Sequence, residues 1–508
     1  MVFILFFARL FVPLPMMSET QPYGSSLSTE LLYHIRQTFR FEPTHEQDKA
    51  METFCMFFSD HMASRNHTGA VMIMRGSAGT GKTTLASAIV RSLLQIKQKV
   101  VLMAPTGRAA KVFAQNSGSK AFTIHRMIYR QKVFSADWSG FNLNDNLRTD
   151  TLFLVDEASM IANGTGSIGN DNMFGSGRLL DDLVRYVYSG RNCRMMLIGD
   201  KAQLPPVGEE ESPALMAEEM RRYGLKVYEC DLNEVLRQSE KSGILYNATV
   251  IRQMITHQAL TQLPHIRFHG FADIQVVPGE ELIEQLNSSY SQVGIDETIV
   301  ITRSNKRANI YNNGIRNSIL DREEELCTGD LLMIVKNNYH WVKQEKSQAL
   351  SFLANGDRAQ VVKVRNIREL YGFRFADVLL LFPDYDDYEL QTTVILDSLT
   401  TEAPALTAEQ NEQLFTEVMA DYADISTKRD RLQRIKEDDY YNAIQVKYSY
   451  AVTCHKAQGG QWAHVYIDQG YMTDDMLTPD YIHWLYTAFT RATDKLFLVN
   501  WPATQIST

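Results

Sequence analysis

The chain has 508 residues, 44% of them hydrophobic, and this length predicts about three or four domains of ~150 residues each. Its five cysteines are scattered and contain no C-x-x-C pair, so the sequence indicates neither a zinc site nor a redox couple, and we expect a reducing, cytoplasmic compartment. The net charge of −9 is concentrated between Asp384 and Asp439, where 15 residues are acidic and five are basic. Because the remainder is close to neutral, the overall charge does not exclude a nucleic-acid-binding protein.

The first segment in chain order is the apolar stretch MVFILFFARLFVPLPMM, residues 1–17. No basic segment precedes it, Arg9 interrupts it and two prolines break any helix, so it does not fit a signal peptide. It is also too short to span a bilayer. We expect residues 1–26 to be a disordered or mis-started N-terminus, with the native chain beginning near Met16 or Met17. No other segment is a membrane candidate.

A glycine-rich loop follows the next predicted strand. The apolar run Ala70–Arg75 indicates a buried strand, and Thr84–Leu94 has helical periodicity. Between them, GSAGTGKT fits the phosphate-binding pattern G-x-x-x-x-G-K-S/T, whose glycines let backbone N–H groups approach phosphate oxygens at a helix N-terminus. We expect Lys82 to reach the β- and γ-phosphates and Thr83 to bind Mg²⁺. The predicted phosphate-binding residues are Gly76, Ser77, Ala78, Gly79, Thr80, Gly81, Lys82, Thr83 and Thr84.

An acidic pair follows the predicted strand TLFLV at residues 151–155. Ligands of open α/β sheets lie at the carboxyl ends of the strands, so we expect Asp156 to hold Mg²⁺ and Glu157 to orient the attacking water. A strand that ends in Asp-Glu is, on its own, often only a solvated strand end. Its position after a phosphate loop favours the functional interpretation.

Strand candidates alternate with helical stretches in two parts of the chain. KVVLMAP and CRMMLIGD flank TLFLVDE, whereas ETIVITRS, VKYSYAVT, AHVYIDQ and KLFLVN all follow residue 296. This βα alternation predicts two parallel sheets. Between residues 329 and 383, the short segments LLMIVK, RAQVVKVR and ADVLLLF, with the turn NGD, predict a small antiparallel barrel. The acidic stretch beyond it contains a predicted helix at 407–425, which we expect to be a solvated arm.

The predicted fold class is therefore α/β, with two parallel-sheet domains, a small β-barrel inserted in the second and a short hairpin inserted in the first. The predicted boundaries are 27–235 for the first domain with its hairpin at about 128–148, 236–330 plus 446–508 for the second domain, and 331–445 for the barrel and acidic helical arm.

The predicted hairpin carries three aromatic residues, Phe134, Trp138 and Phe141, around a Ser-Gly turn. Such side chains can stack on the bases of a single strand or split a duplex. The alternative is that they only pack the hairpin onto its own domain, and the sequence does not decide between the two.

Seven further segments make the phosphate loop part of a recognisable series. They are FEPTHEQ, APTGRAA, FTIHR, GDKAQLPPVG, EVLRQ, TCHKAQGGQ and YTAFTRA, in this order between residues 41 and 492. Together they resemble the superfamily 1 helicases. GDxxQLPPVG with T-x-H-K-x-Q-G is similar to the RecD and Dda group, the superfamily 1B or 5′ to 3′ branch. The resemblance covers most of Phe41–Asn500, is weakest over the acidic arm, and implies RecA-like domains.

The resemblance also implies roles at the nucleotide. Gln47 would read the adenine through its amide, and Gln203 would sense the γ-phosphate. Arg237 and Arg491 would supply guanidinium groups from opposite sides of the cleft, and Gly459 would contact the nucleotide. Because Arg491 belongs to the second domain, the site would be complete only when the two domains close.

Nucleic-acid contacts are implied on both domains. Hydroxyl and imidazole groups suit phosphate and sugar contacts that carry no sequence information. Each such residue, taken singly, could instead be a capped turn or a surface polar residue. The predicted contacts are Pro105, Thr106, Arg108, Thr123 and His125 in the first domain, with Thr453 and His455 opposite them.

Two positions depart from the family pattern. Gln461 stands where relatives often carry a glutamate near the ribose, which leaves the choice between ATP and dATP open, and Thr493 replaces a frequent basic residue.

The expected function is that of an ATP- and Mg²⁺-dependent DNA helicase that moves 5′ to 3′ on single-stranded DNA and unwinds tailed duplex in replication, repair or recombination. We expect a monomeric motor with no membrane partner. An RNA helicase, a protein-stripping translocase and a nucleotide-switched binding module remain open as alternatives.

Overall fold

The structure is a computed structural model that describes residues 24–60, 69–131, 141–164, 176–234, 241–257, 263–343 and 352–507. Within these ranges, no helix is long and apolar enough to cross a membrane. The predicted N-terminal segment before residue 24 lies outside the described residues.

The first domain is built on a six-stranded parallel sheet. The strands of the domain, of which β4 and β5 lie outside this sheet, are β1 (Ala70–Gly76), β2 (Lys99–Ala104), β3 (Ala121–Thr123), β4 (Tyr129–Gln131), β5 (Phe141–Leu143), β6 (Thr151–Val155), β7 (Arg194–Gly199) and β8 (Lys226–Leu232). Its helices are α1 (Gly24–Thr38), α2 (His45–Ser59), α3 (Lys82–Gln95), α4 (Gly107–Ser117), α5 (Ile124–Ile128), α6 (Leu179–Ser189) and α7 (Ala217–Arg222). The sheet order is β3-β2-β6-β7-β1-β8, and β4 pairs antiparallel with β5 as the predicted hairpin.

Every residue of β6 and β7 is buried, as expected for central strands covered by helices on both faces. The register places Met103 of β2 opposite Val155 of β6, and Arg75 of β1 opposite Gly199 of β7. The carboxyl ends of these four strands therefore lie at one edge of the sheet. This edge brings together the phosphate loop, the acidic pair and the GDKAQLPPVG segment.

The second part of the chain forms a five-stranded parallel sheet and a closed barrel. Its strands are β9 (Ile266–Arg267), β10 (Ile274–Val277), β11 (Thr298–Thr302), β12 (Leu331–Ile334), β13 (Arg358–Leu370), β14 (Phe373–Phe382), β15 (Tyr388–Ile395), β16 (Ile444–Tyr448), β17 (Ala451–Thr453), β18 (Trp462–Asp468), β19 (Ala492–Val499) and β20 (Ile506–Ser507). Its helices are α8 (Gly243–Thr256), α9 (Leu282–Val293), α10 (Asn305–Ser318), α11 (His340–Lys343), α12 (Ala408–Asp421), α13 (Lys428–Glu437), α14 (Cys454–Ala457) and α15 (Pro479–Phe489). The parallel sheet has the order β10-β19-β18-β11-β17, and β12 to β16 close the barrel. The predicted fold class is confirmed.

Two expectations are corrected. The segment VKYSYAVT is not one strand of the second sheet, because β16 closes the barrel and only β17 joins the sheet. Both halves are largely buried, so apolar composition could not show where the chain changes sheets. The helix in the acidic stretch is confirmed as α12, but it is not a solvated arm. Leu414 and Val418 of α12 and Ile435 of α13 pack with Phe375 of the barrel in a hydrophobic cluster.

Candidate active site

The phosphate loop forms a tight cradle between β1 and α3. Gly79 and Gly81 have φ angles of 77° and 80°, a left-handed conformation that favours glycine. A Cβ atom on Gly76 would lie 2.8 Å from Oγ1 of Thr80 and 2.9 Å from Cγ of Lys82. The loop thus folds closely around its own lysine, and α3 begins with its free N–H groups at the cradle.

Ser77 is the internal anchor of this loop. Its carbonyl oxygen accepts hydrogen bonds from Nζ of Lys82 at 2.9 Å and from Oγ1 of Thr80 at 2.8 Å. The lysine is therefore held over the cradle, which is the position from which an ammonium group reaches phosphate oxygens.

Asp156 and Glu157 lie at the end of β6, as predicted. Oδ1 of Asp156 accepts the N–H of Glu157 at 2.9 Å, and Glu157 has a φ of 51°, an uncommon backbone conformation for a non-glycine residue. Burial, with a further contribution from Glu157, raises the pKa of Asp156 to about 7, whereas Lys82 opposes the shift. The two carboxyl groups therefore share a restricted space where a cation would be favourable.

The acidic pair and the loop share one cavity of about 410 Å³. Its lining includes Thr83, Thr84, Asp156, Glu157, Phe41, Gly459 and Gln461. A threonine hydroxyl and a carboxylate are oxygen ligands of the kind that Mg²⁺ prefers, and the remaining positions are usually filled by water and nucleotide phosphates. The residues present therefore fit a magnesium nucleotide.

Gln47 occupies a bracing position beside the loop. It closes a capping box with Thr44 at the start of α2, because its Oε1 accepts the N–H of Thr44 at 3.0 Å. Its Nε2 donates to the carbonyl of Thr80 at 2.9 Å, and the side chain is buried. The amide is thus engaged at both ends, and its predicted contact with adenine stays a prediction.

The GDKAQLPPVG segment lies between the loop and the second domain. The N–H of Leu204 donates to Oγ1 of Thr487 at 2.7 Å, and Nε2 of Gln458 donates to the carbonyl of Leu204 at 2.7 Å. Gln203 is buried here, and its Oε1 has no hydrogen-bond partner among the residues that the structure describes. An amide oxygen only accepts hydrogen bonds, so this atom does not itself contact a phosphate, and the predicted γ-phosphate role of Gln203 stays a prediction.

Two residues of the second domain touch the phosphate loop directly. Oη of Tyr486 accepts the N–H of Ala78 at 2.9 Å and donates to Oδ2 of Asp200 at 2.6 Å. Nη1 of Arg252 donates to Oγ of Ser77 at 2.6 Å. Neither Tyr486 nor Arg252 was predicted from the sequence to have a role. Tyr486 could have been singled out because it opens the YTAFTRA segment, but Arg252 belongs to none of the quoted segments.

Arg491 is 2% exposed and is held within the second domain. Its guanidinium donates to the carbonyl of Thr487 at 3.0 Å, to the carbonyl of Gly460 at 3.2 Å and to Oγ1 of Thr490 at 3.0 Å. Thr487 in turn contacts Leu204 of the first domain. Arg491 is therefore linked to the domain interface through Thr487. Its reach to a triphosphate stays a prediction, and Arg237 lies outside the described residues.

Several predicted nucleic-acid contacts of the first domain are helix caps. Oγ1 of Thr106 accepts the N–H of Ala109 at the start of α4, and Oγ1 of Thr123 accepts the N–H of Arg126 at the start of α5. Burial lowers the pKa of His125 to about 4, so its ring is neutral at pH 7. Pro105 directly precedes Thr106 at the end of β2. The capped-turn alternative is therefore observed for both threonines.

Arg108 joins the first domain to the second. Its guanidinium lies 4.5 Å from the ring centroid of Trp462 and donates to the carbonyl of Gln461. Gly459 has a φ of 72°, and a Cβ atom there would lie 3.0 Å from Oγ1 of Thr106. A glycine at this position thus permits the two domains to approach closely.

The predicted nucleic-acid contacts of the second domain are less engaged within the described protein than those of the first. Thr453 precedes α14 without a side-chain cap hydrogen bond, and His455 is exposed. Of the hairpin aromatics, Phe134 and Trp138 lie outside the described residues, whereas Phe141 begins β5.

Comparison with known proteins gives matches on both parts of the chain. The AAA domain family model matches residues 59–266, and the model of the UvrD-like helicase C-terminal domain matches residues 448–499. The ATP-dependent DNA helicase Dda of Enterobacteria phage T4 is 23% identical over 410 residues, which cover 76% of this chain and 84% of Dda. The ATP-dependent RecD2 DNA helicase of Deinococcus radiodurans is 29% identical over 179 residues, 35% of this chain and 21% of RecD2. A crystal structure of Pif1 helicase from Bacteroides has a TM-score of 0.43 and 14% identity, and the likeness covers 92% of this chain and 95% of that one.

A phosphate loop and acidic pair on one parallel sheet, with a second parallel-sheet domain against the loop, define an ATP-hydrolysing enzyme of the helicase type. More narrowly, the chain resembles the superfamily 1B helicases of the RecD/Dda-like group, with similarity to Dda over most of its length and to RecD2 over about a third. The resemblance seen in its segments is thereby confirmed.

Proposed function

We propose that this enzyme is an ATP-dependent DNA helicase that moves 5′ to 3′ along single-stranded DNA and unwinds duplex DNA in replication, repair or recombination. The observation that carries the proposal is the contact of Tyr486 with Ala78 and Asp200, because it joins the second domain to two nucleotide-facing segments of the first. Dda and RecD2 are named as ATP-dependent DNA helicases, and the polarity rests on the resemblance to their group.

The hydrolytic half of the proposal uses residues at the edge of the first sheet. Lys82 would bind the β- and γ-phosphates, and Glu157 would orient the attacking water. Thr83 and Asp156 would hold Mg²⁺, which when bound neutralises charge on the phosphate oxygens. Gln203 would respond to the γ-phosphate through its amide NH2, because that group can donate to a phosphate oxygen whereas the amide oxygen cannot.

Arg491 and Arg237 would complete the site from across the cleft. A guanidinium supplied in this way can be worth ~10³- to 10⁵-fold in rate. For Arg491 the proposal requires its hydrogen bonds to Thr487 and Gly460 to be exchanged for phosphate contacts when the domains close. Gln47 and Gly459 are proposed at the adenosine end, beside the loop that Gln47 already braces.

Movement along DNA would follow from alternating grips on the two domains. The strand would be held on the second domain by Thr453 and His455. On the first domain it would be held by Pro105, Thr106, Arg108, Thr123 and His125. ATP-driven closure brings the two grips together and hydrolysis separates them, so a strand held by both advances in steps. Arg108 would reach the strand only when its contact with Gln461 opens.

Unwinding is proposed to use the hairpin that β4 and β5 begin. Phe134, Trp138 and Phe141 would stack on bases or wedge the duplex apart. Opening a base-pair step costs only about 1.4 kcal/mol on average, so a wedge driven by ATP hydrolysis is sufficient.

A tailed-duplex assay tests the proposal. Fluorescent duplexes with 5′ or 3′ single-stranded tails, made of DNA or RNA, are mixed with the enzyme and ATP, and strand separation is followed with time. We expect unwinding of the 5′-tailed DNA only. Preference for the RNA tail would make the enzyme an RNA helicase, and preference for the 3′ tail would reverse its polarity.

The same samples report ATP turnover. Turnover stimulated by single strands without separation would indicate a translocase that strips proteins, whereas turnover that strands do not stimulate would indicate a nucleotide-switched binding module. We further propose a monomeric motor, which sedimentation of the free and DNA-bound enzyme would check.

A further inference from the structure

We propose that Arg252 and Tyr486 form a clamp through which the second domain sets the conformation of the phosphate loop, with Arg252 acting as a positioning residue through Ser77. This inference rests on the proposed function for its link to strand movement, but the contacts themselves do not. Arg252 lies on α8 and Tyr486 on α15, and they bind consecutive loop residues, Ser77 and Ala78.

The two arms of the clamp are fixed relative to each other. Ile244 and Ile251 of α8 belong to the same buried cluster as Ile482 and Leu485 of α15. Because close-packed helices move as one unit, a displacement of the second domain acts on both loop residues together.

Ser77 transmits the position of Arg252 to the catalytic lysine. Its hydroxyl accepts from Nη1 of Arg252 at 2.6 Å, while its carbonyl accepts from Nζ of Lys82 at 2.9 Å and from Oγ1 of Thr80 at 2.8 Å. One residue therefore connects the second domain with the group that binds the phosphates. A backbone displacement of Ser77 driven through the first bond would also shift the carbonyl that accepts from Lys82.

Tyr486 fixes the neighbouring amide. Its hydroxyl is buried, and burial together with Asp200 raises its pKa well above the usual value, so it stays protonated. A protonated hydroxyl donates to Oδ2 of Asp200 and accepts the N–H of Ala78 at the same time. The Tyr486 hydroxyl thereby fixes the separation between Asp200, at the end of β7, and Ala78 of the phosphate loop.

The charge of Arg252 determines whether bound nucleotide strengthens or weakens the clamp. In the described parts of the chain, no carboxylate lies within 4 Å of this guanidinium to form an ion pair. Neighbouring Arg75, by contrast, is paired with Asp231 and Glu229. Negative charge in the phosphate cradle would therefore attract Arg252, so nucleotide and clamp stabilise each other. We infer that a domain position in which the clamp is formed binds ATP more tightly.

Nucleotide affinity tests the clamp without any need for hydrolysis. Binding of a fluorescent ATP analogue to the full chain is measured for the wild type, Arg252→Ala, Ser77→Ala and the double variant. Loss of a hydrogen bond to a charged group predicts about a tenfold weaker affinity for each single variant. The double variant should be no weaker than either single one, because both remove the same bond.

Steady-state kinetics separate positioning from chemistry. For Arg252→Ala we expect KM for ATP to rise about tenfold while kcat falls less than threefold, and Arg252→Lys should recover part of the affinity. Gln253→Ala is the matched control, because Gln253 is the exposed neighbour on the same helix. Tyr486→Phe, which keeps the ring and removes both hydrogen bonds, should weaken affinity to a similar degree.

Two results would overturn the clamp. One is an affinity within twofold of the wild type for Ser77→Ala, a change too small to prevent folding, and the other is strictly additive losses in the double variant. If single strands fail to stimulate turnover while these affinity losses are found, the proposed function fails and the clamp stands.

Discussion

Among the described residues, two contacts between the first domain and the rest of the chain differ in their chemistry. At the nucleotide-side contact, hydrogen bonds dominate, and they join Tyr486 to Ala78, Thr487 to Leu204 and Arg252 to Ser77. At the barrel-side contact, charged and aromatic groups dominate. Arg108 stacks on Trp462, and Lys111 donates to the carbonyl of Pro383 at 2.8 Å.

The energetic difference between these contacts lies in how well their polar groups are satisfied. The guanidinium groups of Arg108 and Arg358 lie 4.5 Å and 6.0 Å from the ring of Trp462. Burial, followed by the charge of Arg358, lowers the pKa of Arg108 to about 10. Among the described residues, Nε of both arginines and Nε1 of Trp462 have no hydrogen-bond partner. In the described part of the chain, the nucleotide-side contact has one such group, Oε1 of Gln203, so we expect the barrel-side contact to open more readily.

The two contacts are joined by the segment Gly460–Trp462. The N–H of Trp462 donates to the carbonyl of Arg491 at 3.0 Å, and the guanidinium of Arg491 donates to the carbonyl of Gly460. A rearrangement of Arg491 at the nucleotide would therefore be felt at the indole that Arg108 covers. Despite this link, we expect substitutions on the nucleotide side to affect ATP turnover first and those on the barrel side to affect strand binding first.

The largest effect is expected for Lys82→Ala. Removal of the ammonium group takes away both phosphate binding and charge stabilisation, so ATP turnover should fall below detection. Binding of a fluorescent single strand in the absence of nucleotide should stay within about threefold of the wild type, because the hydrogen bond of Lys82 among the described residues is to Ser77 of the phosphate loop. Residual strand-stimulated turnover would mean that another group binds the phosphates.

Arg491→Ala should lower kcat about 10³-fold, because the proposed guanidinium acts mainly in the transition state. Nucleotide affinity, measured by fluorescence, should change much less. Since Arg491 also holds Thr487 and Gly460, thermal unfolding of the variant must be compared with that of Arg491→Lys. If kcat follows the loss of stability in both variants, the role of Arg491 is structural.

Features whose residues lie close together in the chain could be predicted from the sequence. Lys82, Thr83 and Asp156 could be placed because a strand, a turn and a helix lie next to each other in the chain. The two parallel sheets could be predicted because fully buried strands have continuous apolar runs. Local sequence patterns therefore predict the two sheets and the part of the candidate site that the first domain contributes.

What depends on contacts between distant segments could not be predicted. Arg252 meets Ser77 across 175 positions, and only packing of the second domain brings them together. The acidic arm looked solvated because its net charge obscured the apolar stripe that packs on Phe375. The caps of Thr106 and Thr123 are local by contrast, and the sequence had left a capped turn open as the alternative for both residues.

Arg108→Ala tests whether the barrel-side contact also binds DNA. If Arg108 reaches a phosphate when the contact opens, single-strand affinity should fall several-fold and the slope of log K against log salt should lessen by about 0.7. Nucleotide affinity should stay unchanged. Lys120→Ala, an exposed basic residue of the same domain, is the control. An unchanged slope would limit Arg108 to joining the domains.

The smallest effect is expected from Asp357, beside the barrel-side contact. Its carboxylate oxygens accept from Oη of Tyr385 and the N–H of Ala354, both at 2.7 Å. Tyr385 packs on Gly107, where a Cβ atom would lie 2.7 Å from its hydroxyl. Burial raises the pKa of Asp357 to about 7, although these hydrogen bonds oppose the shift.

The sign of the pH dependence follows from that shift. The folded chain binds this proton more tightly than the unfolded chain, whose carboxyl pKa is about 3.9, so the contribution of Asp357 to stability is full below pH ~4 and is lost as pH rises through 7. Asp357→Asn keeps a neutral group at all pH values. Its unfolding midpoint should match the wild type near pH 4 and exceed it by about 2 to 4 °C at pH 8, by calorimetry. A constant difference between the two proteins over this range would show that Asp357 does not titrate, and the barrel-side contact would then owe its weakness to its arginines alone.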